Sequence, residues 1–127
     1  MVKLDTVFST FIRLRDSQSN GTFKCISCGR TLPYDQADCG HYINRKHMAT
    51  RFSEMNCNAQ CRSCNRFDEG NIQGYRRGLI IKYEEPATAL LEARKNQINK
   101  ITEYEYQAMI AHYKAEIKRL KSEKQIR

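Results

Sequence analysis

Cys25, Cys28, Cys61 and Cys64 form two C-x-x-C pairs, and His41 sits between them. Tetrahedral Zn²⁺ takes two thiolates from each of two tight turns, so this spacing fits a four-cysteine zinc site that ties distant backbone together. The segment between the pairs is then a loop pinned at both ends, where side chains can be held well enough for chemistry. Hydrolysis of a phosphodiester requires an activated water, a divalent cation on the phosphate oxygens, and a cationic clamp on the backbone. His41 is the natural base. Asn65, directly after Cys64, can offer its amide oxygen to a hard cation such as Mg²⁺ or Mn²⁺, and Asn56, five residues before Cys61, can cross-link the loop to the His41 strand. Plainer readings stand beside these: a strand histidine satisfied by a backbone carbonyl, and an asparagine that shields the zinc sulfurs.

Charge points to the partner. With 22 Lys and Arg against 14 Asp and Glu, the formal charge is +8 and the pI about 9.3, which favours a polyanion, nucleic acid before membrane. Arg45, Lys46, His47, Arg51, Arg62, Arg66, Arg76 and Arg77 surround the proposed site in sequence and are the candidate phosphate contacts. His47 has a second reading as an acid, base or metal ligand. Six cysteines could instead form disulfides, but the N-terminal stretch has no apolar signal core and the close pairing suits metal better, so a reducing cytosol is expected. Cys39 and Cys57 fall outside the zinc count and read as small buried hydrophobes. Nothing approaches a membrane span.

The positioning elements follow from hydropathy. Leu4, Val7, Phe8, Phe11 and Ile12 recur at helical spacing, giving a docking helix over residues 4–14 with Arg13 and Arg15 at its C-terminal end. Residues 16–21 are turn material, residues 22–24 a short strand, and Gly29 follows the first zinc turn. A second strand over 39–44 carries His41, residues 45–56 read as an exposed basic loop with Phe52 and Met55 tucked under, and a short helix runs from the second cysteine pair to Glu69, stopped by Gly70. Ile72, Tyr75, Leu79, Ile80 and Tyr83 mark a further helix, Pro86 starts another, and Thr102 with Glu105 caps the last. Its stripe of Tyr106, Met109, Ile110, Tyr113, Ile117 and Leu120 can pack on its own domain or on a second copy of the chain.

The order of His41, Asn56 and Asn65 within a zinc-clamped hairpin and helix resembles the HNH, or ββα-metal, nuclease pattern. The stretches L-D-T-V-F-S-T-F-I-R-L-R-D at 4–16, D-C-G-H-Y-I-N-R at 38–45, R-F-S-E-M-N at 51–56, Q-C-R-S-C-N at 60–65 and E-G-N-I-Q-G-Y-R-R-G-L-I at 69–80 resemble the NinG (Rap) family of phage recombination proteins. That resemblance covers nearly the whole chain. It implies a metal-dependent, structure-selective endonuclease for branched DNA, Holliday junctions and displacement loops, located in the host cytosol if phage-encoded. The clamp is also similar to that of dimeric phage junction-resolving endonucleases. One departure stands out: many HNH sites carry an aspartate directly before the base histidine, where this chain has Gly40. The nearest aspartate is Asp38. In a regular strand Asp38 and His41 face opposite ways, so both can serve one cation only if the strand bulges at Gly40; direct metal binding by His41 is the alternative.

The expectation is therefore an α+β fold, a zinc-clamped, treble-clef-like ββα core over residues 1–85, with a basic helical extension over 86–127. His41 acts as base, Asn56 positions it, Asn65 and Asp38 hold Mg²⁺ or Mn²⁺, and the partner is branched double-stranded DNA, with a homodimer through the last helix in view. A non-catalytic zinc DNA-binding accessory protein and a sequence-specific HNH nuclease are the competing classes.

Overall fold

The computed structural model describes residues 1–125 as a mixed α+β fold. Helix α1, Val2–Arg15, buries Leu4, Phe8, Phe11, Ile12 and Leu14 on one face, with Asp5 in its first turn and Arg13 and Arg15 in its last, as suits the helix dipole. Strands β1, Thr22–Lys24, and β2, Thr31–Pro33, pair antiparallel on either side of the first cysteine turn. After a 3-10 turn at Tyr34–Gln36, β3, Ala37–His41, pairs antiparallel with β4, Cys57–Cys61; one helical turn, α2, Met48–Arg51, lies in the connection. A single π-turn, Ser63–Phe67, leads into α3, Ile72–Tyr83, α4, Pro86–Arg94, and α5, Glu103–Lys124.

Two of these strands, β2 and β4, run through stretches whose sequence carries no strand signal. Every residue of β4 is buried, including Asn58 and Gln60, so the apolar and polar alternation that marks a half-exposed strand is missing. The His41 strand also begins and ends earlier than its sequence suggests, with Tyr42 and Ile43 instead joining a core of Tyr75, Leu79 and Leu91.

The capping box at Thr102 and Glu105 forms, and the α5 stripe packs on α1 within the same chain. Phe8 and Tyr113 meet edge-on with centroids 4.9 Å apart, and each such ring adds about 1.5–3 kcal/mol by leaving water. Lys124 Nζ then donates to the carbonyls of Leu14, Arg15 and Ser17 at 2.7–2.9 Å, closing the C-terminal end of α1. The stripe thus packs on its own chain, the first of its two readings, with Tyr106, Met109 and Ile117 only partly buried. Residues on both sides of position 85 share these cores: α5 with α1, and Leu91 of α4 with Tyr75 and Leu79 of α3. Among the described residues, no helix is long and apolar enough to cross a membrane.

Candidate functional site

The four sulfurs of Cys25, Cys28, Cys61 and Cys64 lie within 4.8 Å of one another, with Cys28 and Cys61 at 3.8 Å. Zn–S bonds of about 2.3 Å put tetrahedral sulfurs about 3.8 Å apart, so the donor set fits Zn²⁺ in size and softness. The turns supply the outer contacts. The amide of Cys61 donates to Cys25 Sγ at 3.3 Å and that of Cys64 to Cys61 Sγ at 3.4 Å, while Gly29 takes φ +76°, a conformation glycine adopts without strain. Arg30 donates to Cys28 Sγ at 3.5 Å and to Cys61 Sγ at 3.6 Å, and Asn71 Nδ2 donates to Cys64 Sγ at 3.3 Å. Burial pushes the Cys28 thiol up, but the hydrogen bonds it receives from the Arg30 side chain and amide and from Cys25 and Cys61 together outweigh burial and bring it down to about 6. Neither Arg30 nor Asn71 stands out in the sequence as a partner of the cluster; both become visible only once the fold brings them to the sulfurs.

Pairing between β3 and β4 runs without interruption from Ala37 opposite Cys61 to His41 opposite Cys57. No bulge forms at Gly40. His41 therefore shares a face with Cys39, whereas Asp38 and Gly40 face the other way. A Cβ at residue 40 would fall 2.1 Å from Gln60 Oε1 and 2.9 Å from Gln60 Cβ, so the Gln60 side chain fills the space an aspartate would need. Gln60 is itself tied by its amide to Ser27 Oγ at 2.8 Å and the Gly70 carbonyl at 2.6 Å.

Asp38 and Asn65 do meet, in an arrangement different from a shared cation site. Asn65 Nδ2 donates to Asp38 at 3.0 Å, and Arg66 grips the same carboxylate with two bonds of 2.8 and 2.9 Å. Asp38 thus already carries a guanidinium, and Asn65 presents its NH₂ rather than its oxygen. His41 stands three residues along the strand, about 10 Å at the usual rise, on the opposite face. These residues do not fit one Mg²⁺ or Mn²⁺ beside His41, which corrects the expected grouping of Asp38, Asn65 and the base.

His41 is held from the loop. Its Nε2 lies 3.1 Å from the Arg51 carbonyl, and since a carbonyl only accepts, Nε2 carries the proton and Nδ1 the lone pair. Burial pushes the imidazole below its ordinary range, so it is neutral at neutral pH. Asn56 is fully buried: Oδ1 accepts from the Ile43 amide at 2.8 Å, and Nδ2 donates to the carbonyls of Ile43 at 3.1 Å and Thr50 at 3.2 Å. It bridges the backbone just after His41 to the turn just before Arg51. Tyr75 of α3 completes the brace, its buried hydroxyl 2.7 Å from the Gly40 carbonyl and 3.1 Å from the Asn56 carbonyl. Nothing in the sequence beyond helical spacing singles out Tyr75.

The basic residues divide. Lys46, Arg76 and Arg77 are exposed, Arg62 is exposed and bonded to the Asp35 carbonyl, and Arg45 pairs with Asp5 while 60% exposed. His47 stands at the N-cap position of α2 with no side-chain bond to the helix, and its Nδ1 lies 3.1 Å from the Lys95 carbonyl. Arg51 differs: its side chain is only 14% exposed and binds Asp5 of α1, Nε to Oδ1 at 3.0 Å and its other nitrogen to Oδ2. It braces α1 against α2 and does not present its charge to a phosphate, contrary to its sequence reading. A second, partly buried ionic group joins Arg15, Asp16 and the more exposed Lys82 around Asn58 and the Ala59 amide, and ties β4 to α1 and α3.

The structure defines a small mixed α+β protein with a cysteine cluster suited to zinc and a neutral histidine held by the adjoining loop. The family described as Bacteriophage Lambda NinG protein matches residues 2–123, and the chain belongs to that family. It is 36% identical over 115 residues to protein ninG of Escherichia phage lambda, covering 90% of this chain and 53% of that protein. Protein ninG of Escherichia phage 933W is 36% identical over 115 residues, covering 90% of this chain and 54% of its own length. For protein ninG of Salmonella phage P22 the figures are 36% over 114 residues, 89% and 53%. The chain therefore spans about half the length of the curated relatives it matches. No solved structure matches it.

Proposed function

We propose that this chain is a branched-DNA endonuclease of the zinc-clamped HNH, or ββα-metal, kind, acting on Holliday junctions and displacement loops in phage homologous recombination. The observation that carries the reading is the His41–Arg51 hydrogen bond, which leaves Nδ1 of a neutral imidazole as a proton acceptor at the end of a strand fixed by the zinc clamp. His41 takes the proton from water at Nδ1 as general base. Asn56 and Tyr75 set the ring's backbone on both sides and touch no reacting atom. Lys46, Arg62, Arg66, Arg76 and Arg77 neutralise phosphates, with Arg66 exchanging its Asp38 partner for the DNA backbone. Mg²⁺ or Mn²⁺ is the cation class such chemistry uses for charge on the phosphate, and Asp38 and Asn65 are given no part in a step at His41.

A second reading has its own support. Asp38 and Asn65 lie across the sheet from His41, as in a protein that grips branched DNA through a zinc scaffold without cutting it. Binding and cleavage measured together on matched linear, flapped and four-way substrates, with Mg²⁺ and Mn²⁺ varied, separate the two. Cutting that prefers the branched substrates supports the endonuclease; a gel shift with every strand intact supports the binding module.

A further inference from the structure

Outside the four-cysteine clamp, Cys39, His41 and Cys57 bring two sulfurs and a ring nitrogen to within 4.8 Å of one another. The register explains why: Cys39 and His41 are two apart on β3 and so share a face, and Cys57 stands directly opposite His41 on β4. The face they share is the one covered by α1, where Cys57 is wholly buried against Phe8 and Phe11 of the first core and Cys39 and His41 are partly open.

We propose that Cys39, His41 and Cys57 form a second metal site, for a thiophilic divalent ion of the Zn²⁺ class, distinct from the Cys25–Cys28–Cys61–Cys64 clamp. Two soft thiolates and an imidazole suit Zn²⁺ rather than Mg²⁺, and three protein ligands leave the fourth tetrahedral position for water. The ligand atoms stand within 4.8 Å of one another, against about 3.5–3.8 Å in a tetrahedral zinc site, and Cys39 and His41, the partly open members, supply the route of entry. The Arg51 carbonyl accepts from His41 Nε2 at 3.1 Å and from Cys57 Sγ at 3.4 Å, and so holds the ring and one thiol side by side.

One consequence rests on the endonuclease reading above. A neutral imidazole has a single nitrogen lone pair, so whichever nitrogen binds zinc, none remains to accept a proton from water. Zinc at this second site then switches cutting off while leaving the clamp and the DNA-binding surface intact.

The test uses the full chain, reduced, stripped of metal and titrated with Zn²⁺ or with Co²⁺ as a spectroscopic probe. Wild type is expected to take up two equivalents, the first with the absorption of a tetrathiolate site and the second with a weaker sulfur charge-transfer band. Cys39→Ala and, independently, Cys57→Ser should each lose only the second. Uptake of one equivalent by wild type, or a second equivalent that survives both substitutions, overturns the site. Cleavage then separates the two claims. Inhibition by excess Zn²⁺ that Cys39→Ala relieves supports both, whereas a second equivalent that binds with cutting unchanged keeps the site and removes His41 as the base.

Discussion

The hydroxyl of Tyr75 lies 2.7 Å from the carbonyl oxygen of Gly40, the residue immediately before His41. The Tyr75 hydroxyl oxygen also sits 3.1 Å from the Asn56 carbonyl and accepts from Asn58 Nδ2 at 3.2 Å, so one buried hydroxyl joins α3 to both ends of the loop that follows the histidine. Tyr75→Phe keeps the ring and leaves these partners buried without it, at an expected cost of about 1–3 kcal/mol. Chemical denaturation should show a lower midpoint with an unchanged slope; a midpoint equal to wild type would mean the brace carries no weight.

Removing zinc should cost far more. The clamp joins the β1–β2 turn to the end of β4, and few other apolar contacts span that gap: Phe23, Ala37 and Ala59 pack around the cysteines themselves. A strong chelator, or Cys61→Ser, should abolish cooperative unfolding of the strands, consistent with metal binding worth on the order of 10 kcal/mol. Arg30→Ala, which removes only the cation beside the sulfurs, should weaken zinc retention by about 10–100-fold without unfolding the chain. Competition with a chromogenic chelator measures both.

At Gly40 the fold opposes an aspartate. Gly40→Asp would drive a side chain into the Gln60 amide, which is buried and bonded at both Ser27 and Gly70. The expected loss is about 1–3 kcal/mol with no gain in Mg²⁺ affinity. Thermal unfolding with and without Mg²⁺ tests this, and a stabilised variant that binds Mg²⁺ would show that the strand rearranges to admit the carboxylate.

His41 gives stability a pH dependence of known sign. Burial lowers its folded pKa below the unfolded value of about 6.5, so the unfolded chain takes up the proton first as pH falls. Stability from this residue is complete above about 6.5 and is lost between there and the lower folded value. Denaturation midpoints followed over that window should fall for wild type and stay flatter for His41→Asn. If His41 is the base, the cutting rate should fall through the folded pKa, not through 6.5.

Much of the helical framework is written in residue spacing. The stripe from Tyr106 to Leu120, the Thr102 and Glu105 cap, and Pro86 at the first turn of α4 each have a local cause that a sequence displays. The four-cysteine cluster suited to zinc is legible for the same reason, since each cysteine pair sits in one tight turn. What stayed hidden depends on distant partners. Asn58 and Gln60 look like loop residues and are buried strand residues because Arg15, Lys82, Ser27 and Gly70 satisfy them. Arg51 looks like a phosphate contact, and Asp5, 46 residues earlier, takes its charge. Likewise, the side of the sheet on which His41 falls depends on an unbroken register that no single stretch of sequence declares.

Single-turnover cleavage of a four-way junction by His41→Ala, set beside its binding to the same junction, tests most directly whether this imidazole does the chemistry. Binding equal to wild type with cutting reduced by about 10²–10⁴-fold is the expected result. Cutting at the wild-type rate would contradict it and leave the chain a zinc-built grip on DNA.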